Sequence, residues 1–431
     1  MQEPYNWEDV DWMTRELIYE ADNLTDLLTA INARVDVEVP RTTYREWLER
    51  YYGEGCSVFD ELRAHLAGLD GDLTPLAKLV LKELRKRGKR DRWQSIIVLA
   101  DRFDRSPSSI RTALKELEGA AYNIVLSDDA KHTTLPTWQE PTCKRIPVEV
   151  WMQGDVYRFG VVADTHLCNV KARLDVLNAL YDVYEAEGVN VVLHGGNMID
   201  GEFKWNRHEL VAFGLENQVA YAAEHYPRRE GITTYFITGA CHEGWYGKTI
   251  GFDVGRYMHY SFADPTRLNR PDLKWLGHIE VDLALHPDNK QSVLRLIHPG
   301  GGTAYALSYT MQKTVEAFQG GEKPAVLISG HFHKAGMFYP REIHALQPGC
   351  VEDQTSFMRT KRIAAHVGGY MLEIHVTPMG AVGRVKPEFF PFYDKGYYNN
   401  WDFGSMFNIA NEDAWADRSE AIALAKQTKE E

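Results

Sequence analysis

The stretch "VVLHGGNMIDGEF", residues 191–203, decides how the rest of the chain is interpreted. It ends an apolar run with two glycines and then places Asn197 and Asp200 three residues apart. Taken alone, such a stretch is more often a tight turn after a buried strand, with polar side chains facing water. It can also be the edge of an active site whose side chains face a metal ion or a phosphate. The sequence at other strand ends has to decide between these two interpretations.

Segments around this stretch alternate between strand-like and helix-like patterns. "YRFGVVAD" (157–164), "VNVVLHGG" (189–196) and "GITTYFITG" (231–239) have the apolar, β-branched character of strands. Amphipathic, helix-like segments separate them, and "SVLRLIHPG" and "PAVLISGHF" are later strand-like segments. Strands separated by helices indicate βαβ units and an α/β core. In an open α/β sheet, ligands bind beyond the carboxyl ends of the strands.

Five of the predicted strands are each followed by a side chain that can bind a metal or act as an acid or base. In chain order these are Asp164 and His166, Asn197 and Asp200, Cys241 with His242 and Glu243, His298, and His331 with His333. A single histidine is more often a core or surface residue than a ligand. Five coincidences at one edge of a sheet favour a site instead, and alternate residues of an extended segment, as in D-x-H and H-x-H, point the same way.

The order of these blocks resembles the calcineurin-like metallophosphoesterase superfamily. Its pattern is D-x-H, then G-D-x-x-D, G-N-H-D/E, H and G-H-x-H, and the resemblance covers about residues 157–392. It implies an α/β fold, a four-layered αββα sandwich, with two divalent ions at the strand ends. "LQPGCVEDQTSFMR" (346–359) and the N-terminal region also resemble phage and bacterial relatives of double-strand-break repair nucleases.

The resemblance implies a role for each matching residue. The first ion would be held by Asp164, His166 and His333, and the second by His298 and His331. Asn197 takes the position of the bridging Asp, and Cys241 that of an Asn ligand. His242 would stabilise or protonate the leaving oxygen, and Glu243 would orient it.

The chemistry of phosphodiester hydrolysis explains these residue types. The reaction needs a hydroxide at neutral pH and neutralisation of charge on the phosphoryl oxygens. Two ions about 3.5–4 Å apart supply both. Mixed histidine and carboxylate ligands suit manganese, the ion we expect here, with iron or zinc as alternatives, better than calcium.

Two residues depart from the family pattern. The amide of Asn197 brings no negative charge, so two ions would repel each other more strongly and at least one should bind less tightly. Cys241 could bind a soft ion such as zinc as a thiolate, or not bind at all. The chain could belong to a branch that uses Asn and Cys, be a substituted and inactivated form, or be a degenerate binder. Retention of the other ligands makes degeneration the least favoured of the three.

The N-terminal part is predicted to be helical. Residues 1–70 could include a helix-turn-helix, and residues 71–130 have the order of a winged helix-turn-helix, with a recognition helix from about Ser108. The residues expected to face DNA are Ser109, Arg111 and Lys115, joined by Lys86 and Arg87 of the basic run "KELRKRGKRDRW". The alternative is a helical bundle used for packing or for protein contact.

Three further segments complete the predicted organisation. Residues 131–154, with several prolines, are predicted to be a linker before a phosphoesterase domain at 155–395. Residues 396–431 form a C-terminal extension that could be a dimer contact or a tail. Near the second and third blocks, Arg207 and Lys248 are candidates for binding substrate phosphates. Trp245 could stack on unpaired bases or, equally, cover the edge of the sheet.

Composition sets outer bounds on function. The chain has 431 residues, a formal net charge of -13 and five scattered cysteines. The charge argues against nonspecific nucleic-acid binding by the whole surface, although it leaves room for a basic patch. The cysteine count favours a reducing, cytoplasmic setting, in the host cytoplasm if the protein is encoded by a phage. No apolar run is long enough to predict a transmembrane helix.

The leading hypothesis is a metal-dependent DNA nuclease that an N-terminal module brings to double-stranded or hairpin DNA. The second is a phosphatase acting on phosphoproteins or nucleotides, with the N-terminal part binding a partner. The third is a DNA-binding regulator with an impaired phosphoesterase domain.

Overall fold

The computed structural model describes residues 5–17, 21, 24–35, 37–52, 62, 73–86, 91–136, 139, 141–142, 144–146, 156–203, 205–288, 292–302, 304 and 306–392. The chain divides into two compact units. The first combines Met1–Gln139, Gly201–Ala220 and Gly244–Tyr257, and the second combines Glu140–Asp200, Tyr221–Glu243 and Met258–Glu431. Two segments of the predicted domain at 155–395 therefore group with the N-terminal region.

The helices are short. They are α1 (Trp7–Leu17), α2 (Leu24–Asn32), α3 (Arg41–Tyr52), α4 (Pro75–Arg85), α5 (Ile96–Phe103), α6 (Pro107–Gly119), α7 (Leu174–Ala186), α8 (Leu215–His225), α9 (Trp245–Ile250), α10 (Val254–Ala263), α11 (Tyr309–Ala317) and α12 (Ser356–Lys361). Within the described ranges, every helix is too short or too polar to cross a membrane.

Fifteen strands form three sheets in the described part of the chain. They are β1 (Gln94–Ser95), β2 (Val125–Leu126), β3 (His132–Thr134), β4 (Lys144–Ile146), β5 (Val156–Val162), β6 (Val191–His194), β7 (Thr233–Thr238), β8 (Leu273–His278), β9 (Glu280–Ala284), β10 (Val293–Ile297), β11 (Val326–Ser329), β12 (Ala335–Phe338), β13 (His344–Pro348), β14 (Gly368–Val376) and β15 (Val382–Pro391).

The first unit begins with an aromatic core. Trp47 of α3 stacks on Trp7 of α1 with ring centroids 5.0 Å apart, and apolar residues of α2 such as Leu27 and Ile31 are fully buried beside them. Further along, α4 and α6 both start at a proline preceded by a capping hydroxyl. The Ser106 hydroxyl accepts a hydrogen bond from the Ser109 amide at 3.1 Å, which satisfies one N–H of the first turn of α6.

Three helices and a small sheet follow one another in this part of the first unit. The chain order is α4, β1, α5, α6, β2, β3, and the antiparallel sheet has the order β1-β3-β2. Apolar residues on the inner faces of the helices are buried, among them Leu81, Leu99 and Leu114.

The second unit contains two six-stranded sheets. One has the order β15-β14-β5-β6-β7-β8, in which β5 to β8 run parallel and β14 and β15 form an antiparallel pair. The other has the order β12-β13-β11-β10-β9-β4, with β10, β11 and β13 parallel. All four residues of β6 are buried, as expected for a parallel strand covered on both faces.

The sheets pack face to face, and helices cover their outer faces. One apolar core joins Phe159 and Leu193 of the first sheet to Leu294 and Ile328 of the second. Met311 of α11 packs on the outer face of the second sheet. On the outer face of the first, the Tyr184 hydroxyl of α7 donates to the Tyr370 carbonyl at 3.0 Å. The predicted four-layered αββα sandwich is confirmed.

The segment predicted to be a linker contains two short strands. β3 completes the small sheet of the first unit, and β4 pairs in parallel with β9 of the second unit. Both strands have only three residues, which is too short for an alternating pattern to be recognised in the sequence.

The close contact between β5 and α7 gives a prediction about stability. A Cβ atom on Gly160 would lie 2.6 Å from the Tyr184 ring, so Gly160→Ala is expected to lower the free energy of unfolding by about 1–3 kcal/mol. Gly383→Ala is the control, because its Cβ would meet Thr377 at an ordinary 3.5 Å. Urea unfolding of both variants measures the difference, and equal midpoints would contradict it.

Candidate metal centre

The candidate site lies at the carboxyl ends of strands from both sheets of the second unit. β5, β6 and β7 are parallel neighbours in one sheet, and β10 and β11 are parallel neighbours in the other. The segments after these strands carry all the side chains singled out above: Asp164, His166, Asn197, Asp200, Cys241, His242, Glu243, His298, His331 and His333.

A first cluster of metal-competent atoms is formed by Asp164, His166 and His333. The Nε2 atoms of the two histidines are 3.3 Å apart, and Asp164 Oδ1 lies 3.7 Å from His166 Nε2 and 3.4 Å from His333 Nε2. Burial opposes the charge of Asp164, but the surrounding histidines together hold the pKa of its carboxyl well below its usual range. A buried carboxylate and two converging imidazoles fit one divalent cation.

A second cluster is formed by Cys241, His298 and His331. The Cys241 Sγ lies 3.3 Å from His331 Nδ1. The other nitrogen of each histidine meets a backbone carbonyl: His331 Nε2 lies 2.8 Å from Gly301 O, and His298 Nδ1 lies 2.6 Å from Gly195 O. Donation to these carbonyls fixes each ring so that the remaining nitrogen offers its lone pair. Burial lowers the pKa of His298 to about 3, which keeps the ring neutral.

Asn197 lies between the clusters. Its side-chain Nδ2 donates to Asp164 Oδ1 at 3.2 Å. Its Oδ1 and the His298 ring both lie close to the position that a Cβ atom on Gly239 would take. Asn197 Oδ1 and His298 Nε2 are both buried and have no hydrogen-bond partner among the described residues. Buried polar atoms are rarely left without a partner, so these two indicate where cations would be bound.

The backbone at the site adopts conformations that side chains normally avoid. Six of the residues have positive φ angles, between 43° and 84°: Asp164, His166, Asn197, His242, His331 and His333. Such φ angles are uncommon outside glycine, and strained residues of this kind cluster at functional sites. Here they turn the side chains of four separate loops, those after β5, β6, β7 and β11, toward one place.

The structure corrects the role expected for Glu243. Its buried carboxylate accepts hydrogen bonds from the backbone amides of Asn197 (2.9 Å), Met198 (3.0 Å), Ile199 (3.4 Å) and Gly239 (2.8 Å). Burial raises its pKa to about 7 although these amides favour the charged form. Glu243 therefore joins the loops after β6 and β7, and a different carboxylate orients His242.

That carboxylate belongs to Asp200. Its Oδ1 lies 2.8 Å from His166 Nδ1 and 2.9 Å from His242 Nδ1, and its Oδ2 accepts from Asn169 Nδ2 at 2.9 Å. Burial alone would raise the pKa of Asp200, but the two histidines lower it below its usual range. Asp200 thus orients both His166, a candidate ligand, and His242, the candidate acid. Because it bonds to His166 through Nδ1, the Nε2 of His166 is left to face the first cluster.

Glu352 is a site residue that the sequence analysis did not identify. Its side chain is 2% exposed, and its Oε2 lies 3.9 Å from His166 Nε2 and 3.7 Å from His333 Nδ1. It follows β13, which runs parallel to β11 and therefore ends at the same edge of the sheet. Examining the end of this sixth strand would have identified it.

The remaining predicted site residues lie in the first unit. Arg207 pairs with Glu202 at 3.1 Å, Trp245 begins α9 with its ring 6.2 Å from that of Phe203, and Lys248 is exposed on α9. Their role in binding substrate stays a prediction.

The residues predicted to face DNA also lie in the first unit. Arg111 and Lys115 are exposed on α6, while Ser109 takes part in the cap of that helix. Lys86 pairs with Glu83 at 2.5 Å, and Arg87 is outside the described residues.

Several solved structures are similar to about half of this chain. An archaeal phosphodiesterase matches with a TM-score of 0.30 and 10% identity, over 54% of this chain and 100% of its own. A predicted phosphoesterase from Streptococcus pneumoniae matches with 0.25 and 14%, over 55% and 100%. Vps29 from Entamoeba histolytica, solved with zinc, matches with 0.26 and 12%, over 55% and 100%. No protein-family model and no curated protein matches the sequence. Similarity this low transfers neither a substrate nor the role of any residue.

The thiol in the second cluster gives a prediction about metal preference. Cys241→Ser is expected to weaken zinc binding by at least about tenfold, roughly 1.4 kcal/mol, because a hydroxyl is a poorer ligand for a soft ion than a thiolate. In cobalt-loaded protein, the same substitution should remove the thiolate-to-cobalt charge-transfer absorption.

The matched control is Cys168→Ser. Cys168 is also a cysteine outside any disulfide and close to the site in sequence, but burial raises its pKa and it is not part of either cluster. Zinc competition titrations and cobalt spectra compare the two variants. Retention of the absorption in Cys241→Ser would show that Cys241 does not bind the ion.

Proposed function

We propose that the chain is a divalent-metal-dependent phosphodiesterase. The observation that carries the proposal is the position of Asp164, which belongs to the first cluster and also lies close to the second. Its Oδ1 lies 3.4 Å from His333 Nε2 of the first cluster and 3.7 Å from His298 Nε2 of the second. Two cations held this close together could bind the same phosphate group, which is the arrangement used by two-metal hydrolases.

When bound, the ions would supply a hydroxide nucleophile at neutral pH and neutralise charge on the phosphoryl oxygens. The protein supplies the acid for the leaving group, for which His242 is the candidate. Its side chain is 30% exposed, so it can reach a substrate. Asp200 bonds to Nδ1, so a proton would pass to the leaving oxygen from Nε2.

Features of the first unit support DNA as the substrate. The order α4, β1, α5, α6, β2, β3 is that of a winged helix-turn-helix, in which α6 would be the recognition helix and β2 and β3 the wing. Arg111 and Lys115 are exposed on α6 and could contact phosphates or base edges. We therefore propose a DNA nuclease whose first unit binds the duplex.

One observation supports a second candidate, a DNA-binding regulator with an impaired phosphoesterase site. Asn197 donates to Asp164 where the family pattern has a second carboxylate. This arrangement lowers the negative charge between the clusters and would weaken binding of two cations.

Hydrolysis by the full chain tests the nuclease proposal. With manganese, the protein is expected to cleave duplex or hairpin DNA and a chromogenic phosphodiester faster than the matching monoester. His242→Asn should lower kcat by about 10²- to 10⁴-fold with unchanged metal content, because it removes the acid and none of the proposed ligands. His225→Asn, a partly exposed histidine of α8, is the control.

Two results would contradict this proposal. Cleavage of monoesters with all DNA substrates left intact would favour a phosphatase. Absence of any hydrolysis in protein that contains less than one ion per chain, with no recovery in Asn197→Asp, would favour the regulator.

DNA binding by the first unit is tested separately in the full chain. Arg111→Ala and Lys115→Ala are each expected to weaken duplex binding and to reduce the slope of log affinity against log salt by about 1, as for a lost phosphate contact. Lys313→Ala, an exposed lysine of α11, is the control. Fluorescence anisotropy at several salt concentrations measures the slopes, and wild-type slopes in both α6 variants would rule out this DNA-binding surface.

A further inference from the structure

We propose that Glu352 is a metal-binding residue of the first cluster and that its carboxylate replaces the negative charge missing at Asn197. The inference rests on the metal binding in the proposed function, and it assigns a ligand outside the family pattern given above. In this chain, the loop after β13 would supply the negative charge that the family pattern has at the bridging position.

The position of the Glu352 side chain is the first argument. Its Oε2 lies 3.9 Å from His166 Nε2, a nitrogen that converges on the first cluster, and 3.7 Å from Nδ1 on the other side of the His333 ring. Its side chain is 2% exposed. Burial of a charged carboxylate is costly unless a cation or hydrogen bonds compensate it. A cation in the first cluster would provide that compensation.

The backbone around Glu352 is the second argument, because it holds the side chain in place. The Val351 amide donates to the carbonyl of Asp164 at 3.0 Å, and the Gly349 amide donates to the carbonyl of Lys334 at 3.0 Å. The loop is thus bonded directly to one ligand and to the neighbour of another. At Gly349, φ is +86°, and a Cβ would lie 2.4 Å from the His366 carbonyl, so the turn requires glycine.

The charges of the cluster are the third argument. Asp164 is the one carboxylate among the three residues of the first cluster, and Asn197 beside it is neutral. Glu352 raises the number of carboxylates near the first ion to two. Two carboxylates with two imidazoles form a suitable ligand set for manganese or iron, and a cluster with one carboxylate would bind these ions less tightly.

Metal titration of the full chain without substrate tests the inference. Glu352→Gln is expected to weaken manganese binding at the first cluster by about 10- to 100-fold, a range typical for loss of a residue that supports a metal site. Asp353→Asn is the matched control. It removes the same charge one residue along the chain, but Asp353 pairs with Arg173 at 3.0 Å. The affinity of the Asp353→Asn variant for manganese should therefore stay within about threefold of wild type.

Rescue distinguishes charge replacement from a general structural role. Asn197→Asp restores the carboxylate of the family pattern, so the double variant Asn197→Asp/Glu352→Gln is expected to regain most of the lost affinity. Wild-type affinity in Glu352→Gln, or no recovery in the double variant, would overturn the inference. If Glu352→Gln alone does not fold, the double variant is measured in its place. Failure of the double variant to bind manganese would then overturn the inference as well.

The measurement separates this inference from the proposed function. A chain that loses affinity in Glu352→Gln, regains it in the double variant and still hydrolyses no phosphodiester would support the ligand and contradict the enzyme. If the chain hydrolyses DNA and its Glu352→Gln variant has unchanged metal affinity, the result would support the enzyme and contradict the ligand.

Discussion

The buried carboxylate of Glu243 is the contact on which the geometry of the site depends. It accepts hydrogen bonds from four backbone amides in the loops after β6 and β7, those of Asn197, Met198, Ile199 and Gly239. One side chain thereby sets the distance between the loop that carries Asn197 and the loop that carries Cys241. Burial raises its pKa to about 7, so the hydrogen bonds offset only part of the cost of burying this group. The contact that joins the two loops therefore requires burial of a carboxylate whose charged form is energetically unfavourable.

The same site also stores backbone strain and close packing. The His298 ring occupies space that exists because residues 196, 239 and 330 lack side chains: a Cβ at any of them would lie 2.8 Å or less from a ring atom. Six neighbouring site residues have positive φ angles, and each costs on the order of 1 kcal/mol or more. The hydrogen bonds of Glu243 and Asp200 hold three of these residues, Asn197, His166 and His242. These contacts connect the loops of the site, which favours convergence of the donor atoms before an ion binds.

The sequence predicted which side chains lie close together where parallel strands end at one edge, as β5, β6 and β7 do in one sheet and β10 and β11 in the other. It could not assign roles to neighbouring acids. Glu243 adjoins His242 in sequence, yet Asp200 bonds to that ring, because the contact depends on how two loops fold toward each other. Glu352 was missed for a related reason: it lies four residues past β13, and the Gly349 turn directs it back to the site.

The distribution of charge suggests how two cations would share this site. A bridging carboxylate couples two ions, because its charge attracts both and its loss affects both. Here the bridging position is the neutral Asn197, while Asp164 belongs to the first cluster, Glu352 lies beside it and Cys241 belongs to the second. Each ion would then have anionic groups of its own, with oxygen ligands favouring a harder ion in the first cluster and the thiolate favouring a softer one in the second. Weaker coupling and different ligand chemistry would allow the two positions to be filled independently, by different metals.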